Sequence, residues 1–385
     1  MKQYRPLRIL ISGGGTGGHI FPAISIADEM RRLNPDSEIL FVGAEGKMEM
    51  EKVPAAGYRI VGLPVVGLQR QLNFKNIIND LQAPFKILRS ISKAGDVIRD
   101  FRPDVAVGVG GYASAPLLWS AQRQGIPTLI QEQNGFAGLT NKILGKKADV
   151  ICVAYEGMER FFPAGRIVMT GNPIRKGIVP ATGEMRKEGM EFYGLDPEKK
   201  HILIVGGSLG SGTLNKSMMN WIGRGCPGGG NVEIIWQCGK YYKPQVEAFM
   251  SNVDKEVAAL VHWNDFISRM DLAYAVSDLV ISRSGASTVS ELCAVGKAAL
   301  FVPSPNVAED HQTHNAMALV RKDAAALVKD ADAPGTLMDK ALSLVSDSEA
   351  IALMEKNIAA LALPDAAFRI AEKIYELVDR RNQNG

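Results

Sequence analysis

His19 follows Gly13-Gly14-Gly15-Thr16-Gly17-Gly18, a turn that offers a side chain little core to join. Imidazole exchanges protons near neutral pH, so a histidine in such a turn reads as a general base. Glu291, just past Ser284-Gly285-Ala286-Ser287-Thr288, could accept both hydroxyls of a ribose, although its position alone equally suits a surface helix acid. Arg175, in Gly171-Asn172-Pro173-Ile174-Arg175, could neutralise a diphosphate or simply be solvated. The case for a metal is thin. His311 and His314 lack a third ligand nearby, and Asp330-Ala331-Asp332 has a metal-motif spacing but lies late, in a polar loop. Without a metal, a leaving phosphate must be met by backbone N–H groups, a helix dipole and Arg175.

These residues need a particular scaffold. Ile9, Leu10 and Ile11 form the apolar run of a buried strand, and Pro22 fits a first helical position. A strand that passes through glycines into a helix lets bare N–H groups approach phosphate or sugar oxygens. Similar loops recur at Gly110-Gly111-Tyr112-Ala113-Ser114, Gly206-Gly207-Ser208-Leu209-Gly210-Ser211-Gly212 and Ser284–Thr288. Together they imply a phosphate-bearing ligand. An ATPase P-loop is disfavoured, because Thr213 stands where its lysine would be. A dinucleotide fingerprint fits poorly, since Glu45 lies beyond the expected ribose-binding acid.

Strand-like runs at 38–42, 104–109, 127–131 and 149–153 alternate with helix-period segments, the grammar of a parallel α/β fold. Proline and glycine then punctuate 163–180, which reads as an interdomain linker. Beyond it the grammar restarts: 201–208 echoes 8–15, and 278–285 echoes 104–111. A chain of 385 residues suits two such doubly wound domains, with ligands beyond the carboxyl ends of the strands. A formal charge of +3 gives no reason to expect nucleic acid. Cys152, Cys226, Cys238 and Cys293 form no CxxC pair and read as reduced core thiols of a cytoplasmic protein. Neither a signal peptide nor a membrane span is recognisable.

The halves differ in one place. Ile9 and Asp104 stand 95 positions apart, Ile202 and Asp278 only 76, so the first half carries an insertion, best placed at 64–93. There Phe74, Ile77, Ile78, Leu81, Phe85, Leu88 and Ile91 recur at helical spacing among Arg70, Lys75, Lys86, Arg89 and Lys93. Such a segment either packs on its own domain or lies in a membrane interface beside anionic lipids. Pro84 argues against one straight helix.

Taken together, Gly14–Pro22, Gly110–Ser114, Gln131–Gly135, Ala137–Lys142, Gly171–Arg175, Gly206–Ser208, Arg283–Ala286 and Thr288–Glu291 make the sequence similar to the MurG glycosyltransferases of peptidoglycan synthesis. The resemblance covers nearly the whole chain. It implies a GT-B architecture, two Rossmann-like domains facing each other across a cleft. Residues 1–164 would be the acceptor and membrane-side domain, 165–180 the linker and 181–363 the donor domain; 364–385 would be a helix returning to the first domain. It also implies transfer of N-acetylglucosamine, with inversion, from UDP-N-acetylglucosamine to the muramoyl 4-hydroxyl of undecaprenyl-diphospho-muramoyl-pentapeptide. No cofactor is implied.

By the same resemblance Ile267 contacts uracil, Glu291 the ribose, and Ser208 with Ala286, Ser287 and Thr288 the diphosphate. Gln312 and Asn134 contact the sugar, Arg175 lies near the phosphates, and Thr16, Gly17 and Gly18 face sugar and acceptor. His19 is the expected base and Glu132 the alternative. The family often has paired glutamines where this chain reads His311-Gln312, and Gln and Ala in the loop that here reads Ser208-Leu209-Gly210-Ser211. A lipid-linked acceptor makes the 64–93 segment a membrane contact, through Phe74, Ile77, Ile78, Leu81 and Phe85. The protein would then bind peripherally to anionic lipids on the cytoplasmic side of the inner membrane. Three rivals share the expected ligand chemistry: a UDP-sugar transferase for another lipid acceptor, a UDP-N-acetylglucosamine 2-epimerase, and a non-enzymatic nucleotide-sugar-binding module.

Overall fold

The computed structural model describes residues 4–65, 74–175, 177–207 and 209–384, without the side chains of 74–84, 308, 382 and 384. Ser208, and the side chains of Phe74, Ile77, Ile78 and Leu81, lie outside the described residues. The chain divides into two compact units, residues 1–175 with 364–385, and residues 176–363.

In the first unit the strands are β1 (Arg8–Gly13), β2 (Glu38–Ala44), β3 (Arg59–Leu63), β4 (Val105–Gly110), β5 (Thr128–Glu132), β6 (Val150–Val153) and β7 (Ile167–Met169). They form one parallel sheet in the order β3-β2-β1-β4-β5-β6-β7. Ile9, Ile11, Val107 and Leu129 have no exposed surface, as a sheet covered by helices on both faces requires. The second unit repeats the plan with β8 (Lys200–Val205), β9 (Val232–Gln237), β10 (Val261–Asn264), β11 (Leu279–Ser282), β12 (Ala299–Phe301) and β13 (Ala326–Leu327). Its order is β10-β9-β8-β11-β12-β13, again parallel.

In each sheet the chain reverses its direction of travel between two central strands, β1 and β4 or β8 and β11. Crevices at such switch points are where open α/β sheets take ligands. All four glycine loops leave these four strands.

The linker expectation needs correction. Residues 167–169 are the edge strand of the first sheet, and the boundary between units falls after Arg175. Three apolar residues between prolines and glycines are too short a run to stand out from turn composition.

Pro22 also differs from expectation. The first helix, Gly17–Leu33, begins five residues before it, with Thr16 extended as N-cap. Proline keeps a helical φ and forfeits only the bond to the Gly18 carbonyl, so the helix runs through it. Pro84 likewise lies inside a single helix, Phe74–Phe101. Ala94, Ile98 and Phe101 bury the far end of that helix against Leu117, Leu118 and Ala121, which anchors it despite the missing bond.

The last helix, Ala366–Asn384, buries Ile370, Ile374, Tyr375 and Val378 in the core formed by Ile9, Ile11 and Val107. All four cysteines are free and buried. Burial pushes the thiols of Cys152 and Cys293 up to about 12.

Candidate active site

In the first unit two glycine loops meet backbone to backbone. The Gly14 N–H donates to the Gly110 carbonyl at 3.3 Å. Gly111 has φ +91°, and a Cβ there would lie 2.4 Å from the Gly14 oxygen, so only glycine fits. His19 is the third residue of helix Gly17–Leu33. Its Nδ1 lies 3.0 Å from the Gly14 carbonyl oxygen and 3.4 Å from Thr16 Oγ1. The ring packs against Gly110, where a Cβ would come within 2.8 Å of Nε2 and Cδ2. A carbonyl only accepts, so the Gly14 contact places the hydrogen on Nδ1 and the basic lone pair on Nε2. Thr16 and Gly18 are exposed beside it, and Gly17 is half-buried.

Glu132, the alternative base, ends β5 and is 2% exposed. Its carboxylate accepts the Asn134 N–H at 3.1 Å, Asn134 Nδ2 at 3.3 Å, the Gly138 N–H at 3.1 Å and Asn141 Nδ2 at 2.9 Å. Four donors commit it to folding the 133–141 turn and to holding Asn134, whereas His19 is only half-buried. Asn172 joins the same buried network. It accepts from Gln131 Nε2 at 2.9 Å and donates to the Gln133 carbonyl at 2.9 Å. Asn172 thereby anchors the segment from which the exposed Arg175 leaves the first unit.

In the second unit Gly210 lies against Cys238, the residue that follows β9. A Cβ on Gly210 would lie 2.1 Å from the Cys238 carbonyl oxygen, and Asn215 Nδ2 donates to that oxygen at 2.9 Å. The turn after β11 is braced more heavily. Arg283 donates to the carbonyls of Val302 and Pro303 and pairs with Asp330. Asp330 thus anchors this turn, which explains that residue without a metal-ligand role. Ser284 Oγ donates to the Gln312 carbonyl at 2.8 Å, and Gln312 Oε1 accepts the Ser304 N–H at 2.8 Å. These bonds bring Gln312 beside the turn and leave its amide hydrogens as what it can offer a ligand.

Helix Ala286–Val295 starts there, so the first-turn N–H groups of Ala286, Ser287 and Thr288 lack helical partners, the kind of donors that can receive an anion. Glu291, one turn on, is 3% exposed and accepts the Tyr274 hydroxyl at 3.1 Å. The surface-acid reading therefore fails: the residue is buried and its carboxylate is engaged by the Tyr274 hydroxyl. Ile267 is 5% exposed in the segment joining β10 to helix Met270–Val276.

The structure thus gathers Thr16, Gly17, Gly18 and His19 at one switch point, and Ala286, Ser287, Thr288, Glu291 and Gln312 at the other. One residue of this neighbourhood carries no signal in the sequence. Glu49 is buried beneath the first glycine loop, but in sequence it is one acid of a short polar helix and looks like surface charge.

The models for the glycosyltransferase family 28 N-terminal and C-terminal domains match residues 9–153 and 201–370. A relative from Parabacteroides distasonis is 52% identical over 99% of this chain and 100% of its own. One from Bacteroides thetaiotaomicron is 52% identical over 98% of this chain and 100% of its own. Both are named UDP-N-acetylglucosamine--N-acetylmuramyl-(pentapeptide) pyrophosphoryl-undecaprenol N-acetylglucosamine transferase. The crystal structure of Acinetobacter baumannii MurG matches with a TM-score of 0.76 at 28% identity, covering 96% of this chain and 100% of that one. A GT-B pair of Rossmann-like units with this similarity along its length is decisive: the chain belongs to the MurG transferases of glycosyltransferase family 28.

Proposed function

We propose that the protein transfers N-acetylglucosamine from UDP-N-acetylglucosamine to the 4-hydroxyl of the muramoyl sugar of undecaprenyl-diphospho-muramoyl-pentapeptide. The observation that carries this reading is the 52% identity, over 99% of the chain, to a relative named for that donor and acceptor.

His19 Nε2 removes the acceptor hydroxyl proton as the oxygen attacks the anomeric carbon. The bond to the UDP oxygen breaks on the opposite face, so the new linkage is inverted. The departing diphosphate is met by the first-turn N–H groups of Ala286, Ser287 and Thr288, with Ser208 and Arg175 beside it. Glu291 accepts the ribose hydroxyls, and the uracil lies against the segment at Ile267. Gln312 and Asn134 orient the sugar, Asn134 being held in place by Glu132. Thr16, Gly17 and Gly18 face the acceptor.

The enzyme works peripherally at the cytoplasmic face of the inner membrane. Helix Phe74–Phe101 exposes Phe85, Ile87 and Leu88 beside Lys86 and Arg89, an apolar and basic surface suited to anionic lipid. Among the described residues, no helix is long and apolar enough to cross a membrane.

Purified protein given UDP-N-acetylglucosamine with the lipid-linked muramoyl acceptor, with diacylglycerol, or with no acceptor tests the assignment. A disaccharide product with the first alone is expected. Glycosylated diacylglycerol, UDP-N-acetylmannosamine formed without acceptor, or donor binding without turnover would each overturn it.

A further inference from the structure

Glu49 begins the short helix Glu49–Ala55 and is 1% exposed. Its Oε2 accepts the Gly15 N–H at 2.9 Å, and its Oε1 accepts the Ala44 N–H at 3.0 Å. The loop is shaped around this carboxylate. A Cβ on Gly14 would lie 2.2 Å from Glu49 Oε1, and one on Gly43 would lie 2.6 Å from Cγ. Glu49 has no cationic partner among the described residues, so backbone N–H groups are what stabilise its buried charge.

Two consequences follow for the first glycine loop. The Gly15 N–H is a donor of the kind such loops turn towards phosphate, and here an internal anion already occupies it. The Gly14 N–H is engaged by Gly110. In addition, the peptide unit between Gly14 and Gly15 contains both the N–H that Glu49 clamps and the carbonyl that lies 3.0 Å from His19 Nδ1. Peptide planarity makes those two contacts depend on one another.

We propose that Glu49 is the positioning residue for the His19 base. By clamping the Gly15 N–H it fixes the Gly14 carbonyl, which holds the His19 hydrogen on Nδ1 and the lone pair on Nε2. It also occupies the Gly15 N–H, so that donor is not offered to a phosphate. The proposal rests on the reading of His19 as base.

The test compares Glu49→Gln with Gly14→Ala, whose methyl group displaces the carboxylate without removing it. Both are read by steady-state turnover and by the 15N shifts of His19, assigned with a His19→Gln reference. The native protein should show the Nδ1–H tautomer. Each folded variant should lose that tautomer preference and show kcat about tenfold or more lower, with the donor KM within about twofold. Lowered thermal stability with native tautomer and native kcat would make Glu49 merely structural and overturn the proposal. So would a kcat loss with the tautomer unchanged. If Glu49→Gln fails to fold, Gly14→Ala decides the matter by the same two readouts. His19→Ala, run in parallel, separates the two ideas: if it keeps normal turnover, the base reading itself falls. If it loses turnover while both loop variants stay native, only the role of Glu49 falls.

Discussion

The Nδ1 atom of His19 lies 3.0 Å from the carbonyl oxygen of Gly14, and that contact decides what the imidazole offers to a substrate. With the hydrogen held on Nδ1, Nε2 is the basic atom, packed over Gly110 at the switch point between β1 and β4. The glycines on either side do more than turn the chain. They let two loops and an imidazole approach to distances that any side chain would prevent.

Glu291 should govern nucleoside recognition. Glu291→Gln still accepts the Tyr274 hydroxyl but loses the charge proposed to hold the ribose. Hydrogen bonds to a charged group contribute about 1.5–3 kcal/mol, so donor affinity should fall roughly 10–100-fold. A 2′-deoxyribose donor should bind the native enzyme more weakly than UDP-N-acetylglucosamine, and the variant should discriminate far less. Calorimetric titration of both donors checks this, and equal discrimination by the two proteins would remove the ribose role.

Membrane affinity should depend on the exposed face of helix Phe74–Phe101, where Phe85 is 76% and Leu88 65% exposed. Burying such a side chain contributes about 1.5–3 kcal/mol. Changing both to Ser should therefore lower partitioning into anionic vesicles by about tenfold or more, with donor binding unaffected. Sedimentation with vesicles measures it; undiminished binding would place the contact elsewhere.

Acid should weaken the second unit through two histidines. His201 is fully buried, with Nε2 3.1 Å from the Asp196 carbonyl, 3.7 Å from Glu233, and Nδ1 3.8 Å from Asp278. Burial holds its pKa below the usual 6.5, outweighing Asp278 and Glu233, with Arg186 acting in the same direction as burial. Burial lowers His262 as well, against Glu233 and together with Lys199. The unfolded chain therefore takes up protons first as pH falls. Stability from these groups is present above the usual value of 6.5 and is lost as pH drops towards the depressed native values. The urea midpoint should be lower at about pH 5.5 than at about pH 7.5, and the gap should shrink in His201→Gln. An equal gap in the two proteins would contradict this account.

Much of this architecture was legible because the sequence repeats a physical device. Asp104 accepts the Arg8 N–H at 2.7 Å, and Asp278 accepts the His201 N–H at 2.8 Å. The echo between 104–111 and 278–285 is therefore a shared way of starting a central strand beside its neighbour. The edge strand Ile167–Met169 was hidden by its length, and the helices through Pro22 and Pro84 by a rule that tertiary packing overrides. Glu291 was singled out in the sequence and Glu49 was not, but the burial of both was illegible for a common reason: periodicity places an acid on a helix without saying what encloses it. Their burial, to 3% and 1% exposed, depends on other elements: helix Met270–Val276 brings Tyr274 to Glu291, and the first glycine loop closes over Glu49.

The central claim is that His19 acts on the acceptor in the chemical step. Single-turnover transfer by His19→Ala, with donor affinity measured on the same preparation, tests it most directly. The account predicts a rate lower by about 10²–10⁴-fold with donor affinity within about twofold, as expected when a general base is lost. Near-native transfer, or a loss explained wholly by weaker donor binding, would contradict it.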